Sequence, residues 1–463
     1  MEAIALRMPE ASSALPPGPR TPRLWQRLSY ALRPYGTVAS SRRFGDRFTV
    51  SGLNGPQPLV VFTDPAGIRD IFTDEGDTLR FGEAAGPILG PILGWHSLLL
   101  LDGARHFRER RLMGPPFHGE RMHVYGRLMR EITARVVDRW PVGTPFPIHR
   151  EMQAITMDVM LRAVFGVDQE AVFRPMREKV ERFVAQANGP SAPFIAMRTF
   201  QVDLGRFSPW GRFVRNRAVV RDALLAEIRE RRAAGTADRT DILSLLVEAR
   251  DEHGQPMSEE ELVDEMFTLV MAGHETTATA LAWAFWHLTG HPEVVSRLRE
   301  EIARVTGGRP LEPQQVTQLE YLDATIKETM RLTPIVTMVV RRVHAPVRIG
   351  GVDMPAGAEV GANVYLAHHR PDVWPDPERF DPDRFVGTRP SPYTFFPFGG
   401  GVRRCIGAAF ATYELKIVLA EVLSRVDLRL APGYRMRPRL RAVTIAPSRG
   451  VPVVVVERRR QAA

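Results

Sequence analysis

The chain of 463 residues contains one cysteine, Cys405. An internal disulfide is therefore excluded, and so is a zinc site built from clustered thiolates. No apolar run approaches the ~20 residues of a membrane span, so no membrane anchor is expected. Residues 1–15, MEAIALRMPEASSAL, hold two Glu and an Arg, which leaves no room for the apolar core of a signal peptide. A cytoplasmic location is expected, where thiols stay reduced. Internal repeats and low-complexity tracts are absent. So is the strand–helix alternation of a doubly wound fold. Positive charge is in excess but not concentrated: 62 Lys and Arg against 53 Asp and Glu give a net charge of +9. The basic residues are interspersed with acids, apart from the short Arg458-Arg459-Arg460 tail. That distribution argues against nucleic acid as a partner and suits a local basic face for an acidic protein.

What is present changes in texture along the chain. LPPGPRTP, at 15–22, is an extended, proline-stiffened lead-in. RFTVSGL and PLVVFTD bracket NGPQ and predict a hairpin. From about 65 to 332 helical periodicity dominates. Two stretches, 82–101 and 188–210, interrupt it with Gly and Pro among large apolar residues, as flexible flaps over an apolar space would. After Pro334, VVRRVHAPVRIGGVDMPAGAEV predicts a small sheet, and RAVTIAPSRGVPVVVVE a second hairpin. The expectation is a mainly α protein with small β-sheets. Its β-rich part should cover 15–64, 335–365 and 440–457, and its helical part 65–334 and 366–439.

The segment MSEEELVDEMFTLVMAGHETTATALAWAFWHLTGHPE predicts one long helix. Ser258 and Glu261 form a capping box, and Gly290 with Pro292 ends the run. About 30 residues at ~1.5 Å each span roughly 45 Å. The helix is apolar nearly all round, so it should be buried. Its middle holds Ala272, Gly273, His274, Glu275, Thr276 and Thr277. Glycine costs a helix interior about 1 kcal/mol relative to alanine, and a buried carboxylate needs partners or a raised pKa. Two readings follow. One is a kink with a threonine bonding back to the helix carbonyls. The other is a groove for substrate or oxygen, in which Ala272 and Gly273 admit a large flat group and Glu275 and Thr276 deliver protons.

Cys405 stands in FFPFGGGVRRCIG, before an amphipathic helix. Gly399, Gly400 and Gly401 permit positive φ and close backbone approach. The helix N-terminus, Arg403 and Arg404 should all lower the thiol pKa and favour thiolate. No histidine nearby in sequence offers the base a nucleophile needs. A lone thiolate beside a buried helix with a hole in it fits an axial ligand on haem iron.

With these features the sequence resembles the cytochrome P450 family of haem-thiolate monooxygenases, over nearly the whole chain. The pattern F-x-x-G-x-R-x-C-x-G is met by Phe398, Gly401, Arg403, Cys405 and Gly407. E-x-x-R is met by Glu328 and Arg331, and the resemblance adds Arg379 of PERF as the third, structural member. A-G-x-[DE]-T is met by Ala272, Gly273, Glu275 and Thr276, which the resemblance assigns to oxygen binding and protonation. In DGARHFRERR, His106 and Arg110 share a helical face suited to a haem carboxylate. Arg341 resembles the strand arginine for the other propionate, and Arg403 should join it. His96 matches no motif and is expected to be a loop histidine.

The resemblance implies the P450 fold in a single domain, one haem b and Cys405 as metal ligand. It implies insertion of one oxygen atom from O2 into a hydrophobic small molecule, with a terpenoid or fatty-acid-like guest favoured. Electrons, ultimately from NAD(P)H, would come through a separate ferredoxin or flavodoxin and its reductase, docking on basic residues near Cys405. A monomer acting in secondary metabolism is expected. The alternatives are a peroxide-driven peroxygenase or isomerase on the same fold, or a haem-based sensor. Ile88, Leu89, Trp95, Phe194, Met197, Val270, Val336, Val339 and Thr444 are the candidate pocket walls.

Overall fold

The computed structural model describes residues 15–52, 57–166, 170–189, 195, 200–236 and 239–459. The predicted first hairpin forms: Arg47–Ser51 runs antiparallel to Pro58–Phe62, with Arg47 opposite Phe62 and Ser51 opposite Pro58. Val60, Val61 and Phe62 are fully buried, so both faces of this strand are covered. The pair becomes part of a five-stranded sheet in the order Arg47–Ser51, Pro58–Phe62, Glu359–Asn363, Met338–Val343, Leu79–Arg80. Only Pro58–Phe62 and Glu359–Asn363 are parallel. A small hairpin, Val347–Ile349 with Val352–Met354, hangs from it around Gly350 and Gly351, whose φ values of +50° and +79° suit glycine.

The rest is mostly helix. Glu259–Thr289 forms the central helix of 31 residues. Its capping box is present: Ser258 Oγ accepts from Glu261 N–H at 3.1 Å, and the Glu261 carboxylate accepts from Ser258 N–H at 2.7 Å. It packs most extensively against Ile148–Phe165, and also against Ala408–Arg425, the helix that follows Cys405. Phe267, Leu281, Trp283 and Phe285 on this helix are buried in the core. Among the described residues no helix is long and apolar enough to cross a membrane.

Three expectations change. The stretch 82–101 is not a flap throughout: Phe81–Leu93 is helical despite Pro87 and Pro91 inside it. Ala84, Ala85, Ile92 and Leu93 are buried, and that packing outweighs the breakers. Of 188–210, the described part ends in a helix start, where Ser208 caps Pro209–Ala234 by accepting from Gly211 N–H at 3.0 Å. The C-terminal hairpin also forms with other partners. Thr444–Pro447 pairs with Pro438–Arg441, whereas Pro452–Arg458 pairs with Val426–Leu430 and Phe146–Pro147. Arg449, Gly450 and Val451 all take positive φ, which turns the chain from one sheet into the other. Strands at Phe146–Pro147 and Val426–Leu430 therefore lie outside the stretches expected to be β-rich.

Candidate functional site

The Cys405 loop is shaped by glycine against the helix Pro65–Thr73. A Cβ on Gly400 would lie 2.2 Å from the Phe72 ring, and one on Gly401 would lie 2.0 Å from the Phe72 carbonyl oxygen. Gly401 also has φ +63°, so both space and conformation exclude a side chain. Cys405 N–H donates to the Phe398 carbonyl at 2.9 Å, which is what Phe398 contributes to the loop. Gly407 then caps Ala408–Arg425. Contrary to expectation, the thiol is not lowered. Although Cys405 is exposed at the recess beside it, desolvation by the surrounding protein pushes the thiol up, and the Gly407 N–H, Arg110 and Arg404 oppose that. Local electrostatics therefore does not ionise this sulfur by itself. A bound metal cation would, because coordination displaces the thiol proton.

The middle of the central helix differs from its ends. Ala272 is exposed and Met271, Gly273 and Thr276 are half-buried, whereas residues 262–270 and 277–285 are buried. Ala272 and Thr276 are one turn apart on the accessible side. Gly273 serves another purpose than the one expected: a Cβ there would lie 2.7 Å from Met160 Sδ, so the missing side chain lets the neighbouring helix close. Thr276 Oγ1 donates back to the Ala272 carbonyl at 2.5 Å. The back-bonding threonine and the groove are thus one feature, not two alternatives.

Glu275 does not meet Thr276. Its buried carboxylate turns to the opposite side, where Oε2 accepts from Gln153 Nε2 at 2.7 Å. Oε1 has no hydrogen-bond partner and lies 3.6 Å from Arg441 Nη1 and 3.7 Å from His149 Nε2. Burial raises the Glu275 carboxyl, opposed by Arg441 and the Gln153 amide. His149 is lowered to about 3 by burial first and Arg441 second, so its ring stays neutral.

The four predicted cationic residues do gather. His106 is buried and lowered to about 3, by burial and then by Arg403, Arg110 and Arg341. Arg341 is buried, lowered to about 9 by burial and Arg403, and donates only to its neighbour's carbonyl, Val340 O, at 2.9 Å. Arg403 is lowered to about 10 by burial, although Asp102 pairs with it, and its Nε has no partner. Three guanidinium groups thus face one directly paired carboxylate, Asp102, with Asp74 acting on Arg341 from further off. Buried cations in such excess favour an anionic guest, and the two propionates of a haem would supply the missing negative charge. Asp102 itself was not foreseen. Besides Arg403 it collects the N–H groups of Phe81, Gly82 and Glu83, capping the helix Phe81–Leu93.

On the helix Glu320–Leu332, Glu328 and Arg331 form a fully buried two-point pair at 2.7 and 2.8 Å. The third member is corrected. Arg379 is exposed and lends only its backbone carbonyl to Arg331, at 3.2 Å. The guanidinium that reaches Glu328 is that of Arg384, at 3.4 Å. The chain holds P-x-R-F twice, as PERF and PDRF, five residues apart, and the phenylalanines of both copies are buried.

Of the candidate pocket walls, Val270 is buried and Ile88, Leu89 and Val339 are half-buried. Val336 is partly exposed. Trp95 is exposed and lies over Gly86 and Gly90 of the preceding helix. Thr444 is buried with its hydroxyl donating to Arg441 O at 3.0 Å, so it closes a turn. Phe194 and Met197 lie outside the described residues. His96 proves more than a loop residue: its N–H and ring Nδ1 both meet the Asp264 carboxylate, at 3.1 and 3.2 Å. Cys405 also borders a recess of about 470 Å³ whose lining includes Arg110, His118, Arg404 and Lys416 and no carboxylate.

Comparison with known proteins agrees with this arrangement. The family model described as Cytochrome P450 matches residues 16–452. A Mycobacterium tuberculosis protein named "Putative cytochrome P450 135B1" is 39% identical over 450 residues, covering 96% of this chain and 92% of that one. Another from the same organism, "Putative cytochrome P450 138", is 37% identical over 451 residues, covering 96% and 97%. Among solved structures, the retinoic acid bound cyanobacterial CYP120A1 superposes with a TM-score of 0.77 at 25% identity, covering 90% of this chain and 92% of that one. The match along almost the full length, together with the cysteine loop and the interrupted central helix, establishes that the chain belongs to the cytochrome P450 family, the haem b-dependent monooxygenases.

Proposed function

We propose that the chain is a monomeric cytoplasmic monooxygenase that oxidises a terpenoid or fatty-acid-like molecule, with electrons from a separate ferredoxin or flavodoxin and its reductase. The observation that carries this reading is the excess of positive charge that Arg110, Arg341 and Arg403 keep around neutral His106 beyond the Arg403–Asp102 pair, gathered beside the only cysteine. These four residues would hold the two haem carboxylates, and Cys405 would hold the iron. When bound, haem supplies the activation of dioxygen, which an axial thiolate promotes. The protein's own residues supply position and protons. Ala272 gives the flat face of the groove. Thr276 can turn its hydroxyl from the Ala272 carbonyl into that groove and donate there. Glu275, its carboxyl raised by burial against the pull of Arg441 and Gln153, stands behind the helix as the second acidic group.

The half-buried aliphatic walls suit an apolar guest. Retinoic acid, which the cyanobacterial relative binds, is an isoprenoid with a carboxylate and so combines both favoured classes. The carboxylate-free recess beside Cys405 suits an acidic electron donor, and turnover should then fall with salt. The test is direct. The reduced carbon monoxide complex should show the thiolate spectrum, and Cys405→His should abolish it; retention of that spectrum in the variant refutes the assignment. Thr276→Ala should uncouple donor-driven turnover. Full coupling in that variant would favour the peroxide-driven alternative.

A further inference from the structure

The helix Arg23–Leu32 is mounted inside out. Its polar residues hold it to the body. The Gln26 amide donates to Thr21 O at 2.8 Å and accepts from Ser51 N–H at 3.1 Å. Arg27 donates to Gly52 O at 3.2 Å, and the Tyr30 hydroxyl meets the Thr337 hydroxyl at 2.7 Å. Leu24, Trp25, Leu28 and Leu32 form a stripe along the helix at one-turn spacing, and they are 75%, 63%, 43% and 55% exposed. None of the ten residues is buried. A surface helix ordinarily turns its apolar stripe inward. A contiguous exposed stripe with an aromatic at its head marks a contact surface.

Charge identifies the partner. Residues 15–45 contain six arginines, at 20, 23, 27, 33, 42 and 43, and no Asp or Glu. We propose that this face docks on an anionic lipid bilayer, with the helix lying in the interfacial plane. Trp25 and the three leucines would enter the acyl boundary, and arginines such as Arg20 and Arg33 would meet lipid phosphates, while Arg27 and Arg42 hold to Gly52 O and His369 O and add to the positive field. An acidic protein would answer the arginines but would also need an apolar groove for four large side chains, whereas a bilayer provides both layers at once. Ten residues rise only ~15 Å, so the contact is peripheral and does not span. Tyr30 anchors the helix at Thr337, beside Val336 and Val339. On the substrate reading above, a lipid-dissolved guest would thus be presented next to its own pocket wall; the docking itself does not depend on that reading.

The test uses the full-length haem-loaded protein and vesicles of phosphatidylglycerol with phosphatidylethanolamine, against phosphatidylcholine alone. Co-sedimentation with the anionic vesicles is expected, weakening with salt. A blue shift of tryptophan emission should accompany it and be absent in Trp25→Phe. Leu24→Gln with Leu28→Gln should weaken partitioning at least roughly tenfold while leaving the haem spectrum unchanged. Four results would overturn the proposal: no binding to anionic vesicles; equal binding by the double variant; a wild-type dimer that the double variant dissolves, which assigns the face to a second copy; or binding only after residues 1–14 are deleted, which assigns it to that segment.

Discussion

The two P-x-R-F copies allow a sharp test of how the buried Glu328 is held. Its carboxylate is fully buried and takes both arms of Arg331, the Asp381 N–H at 2.9 Å and the Arg384 guanidinium at 3.4 Å. Arg331 in turn donates to the carbonyls of His368, Pro377 and Arg379. Removing Arg331 strands a buried carboxylate, which costs ~3–5 kcal/mol. That is a large share of a typical total of ~5–15 kcal/mol, so the informative comparison is a milder one that keeps the fold. Arg384→Met keeps the two-point pair and the Asp381 amide. It loses one ion pair and the donation to Asp376 O at 2.9 Å, for roughly 1–3 kcal/mol. Arg379→Met removes an exposed guanidinium and leaves its carbonyl in place, so the change should stay within ~0.5 kcal/mol. Urea melts of the two haem-loaded variants, followed by the haem band and by far-ultraviolet dichroism, measure the difference. If Arg379→Met destabilises as much as Arg384→Met, the assignment of Arg384 is wrong.

Two further outcomes are expected. Glu414 is fully buried, neither carboxylate oxygen has a partner, and burial alone raises its carboxyl to about 8 from 4.5. A raised folded-state pKa means that stability is intact below about 4.5 and is lost as pH rises towards about 8. Glu414→Gln should therefore gain on the wild type between pH ~5 and ~8, by on the order of 1.4 kcal/mol per unit; parallel melting curves against pH would contradict this. Asp264 gathers His96 from the 94–101 loop and Arg217 from the helix Pro209–Ala234, at 3.1–3.2 Å. Asp264→Asn should speed amide exchange in that loop about tenfold with little change in global melting, and unchanged exchange would show that other contacts hold the loop.

What the sequence revealed, and what it hid, follows from the range of the interactions. The capping box at Ser258 and Glu261 and the pair Glu328–Arg331 are each three residues apart, so helical geometry alone places them together. The Cys405 loop was legible because glycines in such density state a backbone requirement. Contacts across the fold were not legible in that way. The thiol pKa departs from expectation because desolvation by surrounding protein, a property of the whole fold, opposes the neighbouring charges that the sequence displays. Arg384 and Arg379 sit in the same four-residue pattern and the phenylalanines of both copies are buried, so only the three-dimensional placement of the two guanidinium groups, one at Glu328 and one exposed, separates them. The surroundings of Glu275 show the limit most clearly. Gln153 comes from 122 residues away, and Arg441 lies on a strand whose partner sequence patterning misassigned. Because Glu275 and Thr276 are adjacent on a helix, their side chains diverge by about 100°. The pattern that names them together therefore cannot mean that they touch. It places one group in the groove and one behind it, and any proton passing between them must go round the helix or through a turn of Glu275.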